Sequence, residues 1–525
     1  MSLTDLLFVD AADQQPDDAL VHLGDASWTR AEVRERADAL AAALTGSGVG
    51  PGAAVGIMLP NGVDVIAALF GVWRAGGVYV PLNPRLTDDE VAHVVDSVEP
   101  VVIVTTADRA DRFTLPVVLA DDGGWTPRAG EGAGERRHDP DVALIQFTSG
   151  TTGRPKPVLL LHSGVLTLLD GVLAKLRAGS PKPKLAAPAD TPAAPHRPPM
   201  PNLIPVSLSL WAGIYNVLFA LRVGAAVVVL DGFVPADFAA TVKRFGIRST
   251  VLPPAAMTML ANDPDLDDLS PLRFVRSITA PLSPLQAHRF KDRFGIAVLN
   301  SYGQTEIGGE IVGWNAADSR EHGEDKLGSV GRPHDGVSLR VVDDAGIDVE
   351  TGEPGELWVL TPALSAGYAD GGDLADRLSA DGWFRTGDFA RVDAEGFVWI
   401  EGRVSSMINR GGLKIYPGEV EEVVRLHPSV ADVAVVGAPD DRLGEVPCAF
   451  VVTVPGAGLD PTDLERVCRE HLAPYKVPAR FEPIDVLPRN EVGKVLARDL
   501  VDALTNDPVA GPHPQPATDP IGPPP

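Results

Sequence analysis

Apolar positions in the first part of the chain alternate between helical and extended spacing. A helix is predicted where Thr29 and Glu32 form a capping-box pair ahead of apolar residues at helical spacing. Those apolar residues are Val33, Ala37, Leu40 and Leu44. Further along, strand candidates at 53–59 and 78–82 flank a helical stretch at 63–74. Strands that alternate with helices predict a layered α/β architecture.

A different pattern begins near Gly382, where glycines separate short strands such as FVWIEGR. A helix at 419–426 and a strand at 433–436 follow, which predicts a small α+β domain joined to the first part near Arg403. The expected fold class is therefore α/β. We predict a large multi-layer N-terminal domain, residues 1–403, and a small C-terminal domain, residues 404–504.

Two proline-rich segments stand apart from this pattern. Residues 181–201 and 508–525 hold eight prolines each, and neither has a periodic apolar face to bury. We expect both to be loop or disorder, and residues 505–525 to form a dispensable tail.

Composition excludes several classes of protein. The net charge of −26 repels a phosphate backbone, so we expect no nucleic-acid partner. The cysteines, Cys448 and Cys468, lack the spacing of a metal site and are expected to be reduced packing residues. No stretch reaches the ~18 apolar residues of a membrane span, and no signal peptide precedes the first helix, which predicts a cytoplasmic protein. A monomer and a homodimer both remain open.

The most specific segment runs from Phe147 to Lys156 and reads FTSGTTGRPK. Its hydroxyls, backbone N–H groups and lysine can surround a polyphosphate, although it lacks the spacing of a Walker loop. The candidate phosphate-binding residues are Thr148, Ser149, Gly150, Thr151, Thr152, Gly153 and Lys156. The alternative reading of this segment by itself is a solvated Ser/Thr/Gly turn.

This loop resembles the phosphate loop of the adenylate-forming enzymes, which include acyl-CoA synthetases. Four further motifs follow in that family's order: NSYGQTE at 300–306, TGD at 386–388, a hinge and thiol-tunnel motif at 402–412, and PRNEVGK at 488–494. The resemblance covers about residues 10–500, and it is most like the AMP-forming carboxylic acid:CoA ligases. It implies a C-terminal domain that rotates between two half-reactions, with Ser405 in place of the usual hinge Asp or Lys.

The chemistry of the motif residues agrees with this resemblance. Tyr302 offers a face on which a purine can stack, and the backbone around it can bind the edge of the base. Thr305 offers a hydroxyl to a phosphate, and Glu306 is an oxygen ligand suited to Mg²⁺. The Asp388 carboxylate can accept from ribose hydroxyls, and Arg403 is a donor for the same sugar. The full set of nucleotide-binding candidates adds Thr279, Ala280, Asn300, Ser301, Gly303, Ile400 and Gly412, and Thr151 joins Glu306 as a metal candidate.

Lys494 is expected to be the catalytic cation of the C-terminal domain. Such a cation reduces the repulsion between an attacking carboxylate and the α-phosphate of ATP. By resemblance, the acyl pocket lies between 211–215, 279–281 and 307–309, where Gly308 and Gly309 leave room for a medium or long chain or a bulky alicyclic acid. The resemblance thus implies acyl-AMP and then acyl-CoA formation from ATP, Mg²⁺ and coenzyme A. The alternative acceptors of the acyl group are a carrier-protein thiol and an amine.

Overall fold

The structure is a computed structural model that describes residues 2–9, 17–121, 124–148, 155–178, 198–372, 374–489 and 494–506. The chain divides into two compact units, Met1–Ile400 and Glu401–Pro525. Most of the predicted proline-rich loop and the predicted tail lie outside the described residues. Pro201, the last residue of that predicted loop, instead begins a strand.

The first unit contains a seven-stranded sheet that is parallel except at one edge. Its strands are buried runs of β-branched residues, as in Ala226–Val229, because helices cover both faces of parallel sheets. Phe274–Ser277 and Ala297–Asn300 run side by side at one edge, with Ser277 opposite Asn300. In spatial order the strands are Ala297–Asn300, Phe274–Ser277, Ser249–Leu252, Pro201–Ile204, Ala226–Val229, Ala19–Leu23 and Ala26–Thr29.

A second seven-stranded sheet carries the start of the phosphate-loop motif. Its central strands are parallel, and Val142–Thr148 pairs antiparallel with Lys156–Leu161 at one edge. In spatial order the strands are Gly124–Arg128, Val117–Asp121, Val102–Thr106, Ala54–Met58, Val78–Pro81, Val142–Thr148 and Lys156–Leu161.

The helices of the first unit begin where the sequence places their caps. Both capping boxes form: Thr29 accepts from the backbone of Glu32, and Thr87 does the same for Glu90. The α-helices are Asp5–Phe8, Arg30–Gly46, Val63–Arg74, Asp88–Val98, His162–Ala178, Trp211–Arg222, Pro235–Phe245, Pro254–Asn262, Pro284–Phe294 and Ala316–His322. One core joins the two sheets, and the Trp73 indole inside it donates to the carbonyl of Ala143 at 2.7 Å.

Two smaller antiparallel sheets complete the first unit. One holds Tyr302–Gln304, Gly309–Gly313 and Arg332–Pro333. The other holds Ser338–Val342, Gly355–Leu360, Phe384–Val392 and Val398–Arg403, the last of which crosses into the second unit. Short 3-10 turns occur at Ala107–Arg112, Thr305–Ile307 and Ala375–Arg377.

The second unit is a five-stranded sheet with helices packed against it. Its strands are Leu413–Ile415, Ile408–Arg410, Gly444–Thr453, Val430–Asp440 and Arg480–Pro483. Its α-helices are Pro417–Val424, Pro461–His471 and Ala497–Asn506, with 3-10 turns at Val404–Ser406 and Pro474–Lys476.

The thiols of Cys448 and Cys468 are buried and free in the core of the second unit. Burial raises the pKa of Cys448 to about 12 and that of Cys468 to about 11, which makes both packing residues. Among the described residues, no helix combines the length and the apolar character needed to span a membrane.

Candidate active site

The site begins at the carboxyl ends of two neighbouring parallel strands. Ser277 and Asn300 end these strands, and the Ser301 hydroxyl donates to the carbonyl of Ser277 at 3.0 Å. The Ser301 backbone N–H donates to the Asn300 side chain at 3.0 Å, which fixes the turn out of the sheet. Open parallel sheets bind ligands in the crevice just outside the carboxyl ends of their strands.

Thr279 lies in the loop that leaves the first of these strands, and its backbone is strained. Its φ is +73°, in the left-handed region that a β-branched residue rarely adopts. Such a conformation costs about 1–3 kcal/mol and persists where the surroundings enforce it, often at binding sites. Thr279 and the following Ala280 are both predicted nucleotide-binding residues.

Tyr302 and Asp388 come together although they lie in separate sheets. The Tyr302 hydroxyl donates to Asp388 Oδ2 at 2.6 Å, and the Gln304 side-chain amide donates to the same oxygen at 2.6 Å. Gln304 also donates to the carbonyl of Thr386 at 2.9 Å. The structure therefore joins the predicted adenine motif to the predicted ribose motif through direct hydrogen bonds.

The Thr386 side chain fixes the backbone of Asp388. The Thr386 hydroxyl donates to the carbonyl of Leu357 at 2.6 Å and accepts from the Asp388 backbone N–H at 3.0 Å. Asp388 retains only 3% of its accessible surface. A buried carboxylate with several donors is fixed in direction, which suits a hydroxyl-binding role.

Gly303 is required by a close backbone approach beside Tyr302. A Cβ built at this position would lie 1.8 Å from the carbonyl oxygen of Gly309 on the paired strand. A side chain at 303 would therefore push these two strands apart.

Arg377 connects the ribose motif to Glu306. Its guanidinium lies 3.2 Å from Glu306 Oε1, donates to the carbonyl of Thr386 at 2.7 Å and covers the ring of Phe384 at 4.4 Å. Glu306 is 13% exposed in the turn Thr305–Ile307, so the Arg377 charge offsets part of its burial cost.

Lys156 is connected to Glu306 and Arg377 by way of Tyr368. Its ammonium group lies 5.1 Å from the centre of the Tyr368 ring. Burial raises the pKa of Tyr368, the Glu306 carboxylate raises it further, and a hydrogen bond with Arg377 opposes the rise. Two cations, Lys156 and Arg377, and two carboxylates, Glu306 and Asp370, therefore lie around a single tyrosine.

The predicted phosphate loop spans the gap between Thr148 and Lys156. These two residues are paired across the edge of the second sheet, so both ends of the loop are fixed. Residues 149–154, which include the candidates Ser149, Gly150, Thr151, Thr152 and Gly153, lie outside the described residues.

The predicted acyl pocket walls meet at Trp211. The Trp211 indole donates to the carbonyl of Gly308 at 3.1 Å. A Cβ at Gly309 would lie 3.0 Å from that indole nitrogen, and one at Gly308 would lie 2.8 Å from Ala363. The room that the sequence suggested beside these two glycines is thus occupied by Trp211 and Ala363.

A buried polar cluster lies directly behind these walls. Arg276 and Glu310 form an ion pair, and His334 Nε2 lies 3.2 Å from the other Glu310 oxygen. Burial raises the pKa of Glu310, but Arg276 and a hydrogen bond from His334 outweigh that and hold it at about 2. The Lys175 ammonium binds the carbonyl of Gly313 at 2.7 Å, and burial lowers its pKa to about 8.

The remaining candidates belong to the strand that ends the first unit and to the second unit. Ile400 packs against the main core, and Arg403 ends its strand. Gly412 has φ +93° and, with Gly411 at +59°, forms the tight turn between two paired strands, a conformation that glycine adopts without strain. Lys494 is half-buried in a segment where Arg489 bridges to Val495.

Sequence reasoning did not assign roles to Gln304, Thr386, Tyr368 or Arg377. Gln304 and Thr386 lie inside the quoted motifs, so spacing around Tyr302 and Asp388 was an available signal. Arg377 lies in no motif, and only the folded chain brings it to Glu306.

Comparison with known proteins identifies the family of this chain. The profile of the family described as AMP-binding enzyme matches residues 8–369, and that of the AMP-binding enzyme C-terminal domain matches residues 419–494. The chain belongs to the family of AMP-binding enzymes. The predicted family, the two-part α/β fold and the class of AMP-forming acid–thiol ligase are confirmed.

Three similar proteins illustrate the range of this family. The chain is 34% identical over 515 residues to 3-[(3aS,4S,7aS)-7a-methyl-1,5-dioxo-octahydro-1H-inden-4-yl]propanoyl:CoA ligase of Mycobacterium tuberculosis, covering 92% of this chain and 95% of the relative. It is 30% identical over 501 residues to the fatty acid–[acyl-carrier-protein] ligase ScoC of Streptomyces coeruleorubidus, covering 91% and 92%. The solved structure of amide bond synthetase McbA from Marinactinospora thermotolerans superposes with a TM-score of 0.80 at 28% identity, covering 95% of this chain and 99% of that one.

Proposed function

We propose that this enzyme activates a carboxylic acid with ATP and transfers the acyl group to coenzyme A. In the first half-reaction a carboxylate oxygen bonds to the α-phosphorus of ATP, and the bond to pyrophosphate breaks. In the second, a thiolate sulfur bonds to the acyl carbon and AMP leaves. The observation that carries the proposal is the hydrogen-bonded network of Tyr302, Gln304, Thr386 and Asp388, which Arg377 extends to Glu306.

The network supports a division of roles along the nucleotide. Tyr302 stacks on the adenine, with Asn300, Ser301 and the Gly303 backbone along its edge. Asp388 accepts hydrogen bonds from the ribose hydroxyls, and Arg403 donates to the same sugar. Thr305 and the loop from Thr148 to Lys156 take the phosphates.

The residues present fit a magnesium ion that enters with ATP. Among the described residues, no group of three or more His, Cys, Asp and Glu side chains can hold a metal by itself. Mg²⁺ characteristically uses one or two carboxylates together with substrate phosphates, and Glu306 supplies one carboxylate. Bound there, the ion would neutralise charge on the phosphates, with the Thr151 hydroxyl as a second protein oxygen.

Lys494 and Gly412 serve the second unit's part of the reaction in this proposal. Lys494 provides the positive charge for adenylation, and the backbone at Gly412 lies beside the path of the thiol. Since Gly412 also has a left-handed backbone, substitution there strains the turn and does not test the thiol path cleanly.

The acid is proposed to be a medium or long chain or a bulky alicyclic acid. The similarity to a CoA ligase named for an alicyclic propanoyl group favours this range. The alternative is an acyl-AMP ligase that delivers its acyl group to a carrier-protein thiol or an amine. The similarity to a carrier-protein ligase and to an amide bond synthetase supports this alternative, so the experiment also tests it.

The decisive experiment is a panel of carboxylic acids incubated with ATP and Mg²⁺, with and without CoA, and read by mass spectrometry. The expected products are acyl-AMP without CoA and acyl-CoA plus AMP with it. Lys494→Ala should reduce acyl-AMP formation by about 100-fold or more, because it removes a cation at the developing charge. The matched control is Lys243→Ala, which removes an exposed lysine of the helix Pro235–Phe245.

Each outcome has a defined meaning. Acyl-AMP without thioester, together with amide formation from an added amine or acyl transfer to a carrier protein, would select the alternative. Absence of acyl-AMP from every acid, or full activity of the Lys494 variant, would contradict the proposal.

A further inference from the structure

Tyr215 has a buried hydroxyl that the proposed reaction does not use. The residue is 5% exposed, and its oxygen has no hydrogen-bond partner among the residues that the structure describes. A buried polar group left unpaired is costly, so it calls for an explanation.

Tyr215 lies on a wall of the predicted acyl pocket. It follows Trp211 by four residues on the same helix, so the two share a face, and their ring centres are 5.8 Å apart. Trp211 in turn binds the backbone of Gly308.

An ion pair lies next in sequence to the other two predicted walls. Arg276 lies three residues before Thr279, and Glu310 directly follows Gly309. The Arg276 guanidinium lies 5.8 Å from the ring of Phe219, one helical turn after Tyr215. Tyr215 thus ends one predicted wall, while Arg276 and Glu310 lie just outside the sequence bounds of the other two.

Electrostatics at this cluster favour a neutral ligand group. Burial raises the pKa of the Tyr215 hydroxyl, the Glu310 carboxylate raises it further and the Arg276 guanidinium lowers it. Glu310 already compensates Arg276 and is itself bound by His334. Because the Lys175 ammonium of the same cluster is already bound to the carbonyl of Gly313, a substrate carboxylate would add a second buried negative charge beside Glu310, whereas a carbonyl or hydroxyl oxygen only needs a donor.

We propose that the Tyr215 hydroxyl donates a hydrogen bond to an oxygen at the far end of the acid substrate, so that the enzyme selects acids with a remote carbonyl or hydroxyl group. This inference rests on the proposed function and narrows its substrate class. Tyr215 is then a specificity-determining residue whose ring packs against that of Trp211.

The test uses acids in matched pairs and follows pyrophosphate release. One pair is cyclohexanepropanoic acid and its ring-ketone analogue. The other is decanoic acid and its analogue with a ketone next to the terminal methyl, with decanedioic acid as a charged comparison. The wild type should prefer the ketone of the better pair by about 10- to 100-fold in kcat/KM, since the parent acid without the ketone leaves a buried donor unpaired.

The Tyr215→Phe variant should lose that preference and melt no lower than the wild type, because the hydroxyl it removes has no partner in the free protein. Tyr79→Phe, which alters a buried tyrosine of the second sheet, is the matched control and should keep the preference. The inference is overturned if the best substrate of the panel lacks a remote oxygen, if decanedioic acid is best, or if Tyr215→Phe keeps the preference. If the wild type releases pyrophosphate with none of the acids, the proposed function is overturned instead.

Discussion

The nucleotide side and the acyl side of this site use polar groups in opposite ways. Around Asp388, donors such as Tyr302 and Gln304 converge within 2.6 Å on one carboxylate oxygen. Behind the acyl walls, Arg276 and Glu310 neutralise each other and leave the Tyr215 hydroxyl without a partner. In the proposed function the first arrangement binds the ribose of ATP, whereas the second is a buried cluster that distinguishes one acid from another.

This difference also separates fixed geometry from selectivity. The nucleotide side is anchored to the main chain through Thr386, so its geometry is set before ATP arrives. The acyl side depends on side chains from a helix and two strands, and a single substitution there can alter which acid fits. Substitutions on one side that leave the other side unchanged would show that the two sides are independent.

The largest effect is expected when the ion pair of the acyl side is broken. Arg276→Met leaves the Glu310 carboxylate, 11% exposed, with His334 as its remaining partner, which should lower the free energy of unfolding by about 3 kcal/mol. The double variant Arg276→Met with Glu310→Leu should recover most of that loss, because no unpaired charge remains. Urea unfolding measures the free energy of unfolding of both variants. If the single and the double variant are destabilised equally, the unpaired Glu310 charge is not the cause of the loss.

An intermediate effect is expected on the nucleotide side. Asp388→Ala removes the charged acceptor of the ribose, which should weaken ATP binding by about 1.5–3 kcal/mol, or about 10- to 150-fold. Calorimetric titration with ATP measures this, and Asp376→Ala, which alters an exposed aspartate nearby, is the control. An unchanged ATP affinity would remove Asp388 from the ribose site, and an altered preference among acids would show that the two sides are coupled.

The smallest effect is expected at Arg377, which forms an ion pair with Glu306, the carboxylate proposed to bind magnesium. Because Arg377 is 30% exposed, its interaction with Glu306 is worth about 1 kcal/mol or less. Arg377→Ala should therefore lower the Mg²⁺ concentration for half-maximal adenylation by about 2- to 5-fold. Arg377→Lys keeps the charge and should stay near the wild-type value, while a higher Mg²⁺ requirement in the alanine variant would contradict competition for Glu306.

Much of the fold follows from local sequence patterns. The helix Val63–Arg74 has the predicted bounds, and the Thr29 capping box forms as expected, because both depend on residues within a few positions of each other. The helix predicted at 419–426 occurs at Pro417–Val424, a shift of two residues, since Pro417 suits the first turn of a helix.

The sequence by itself determined the family and supplied the residues proposed for the nucleotide side, because motifs such as NSYGQTE keep several functional groups within one short segment. Only the tertiary structure decided their partners: Tyr302 and Asp388 are 86 positions apart, and Arg377 reaches Glu306 across 71. The acyl side was decided almost entirely by the fold. Arg276 and Glu310 are separated by 34 positions and lie in no motif, and Tyr215 belongs to a third element. Such contacts have no local signal, because they depend on strands and helices packing together in space.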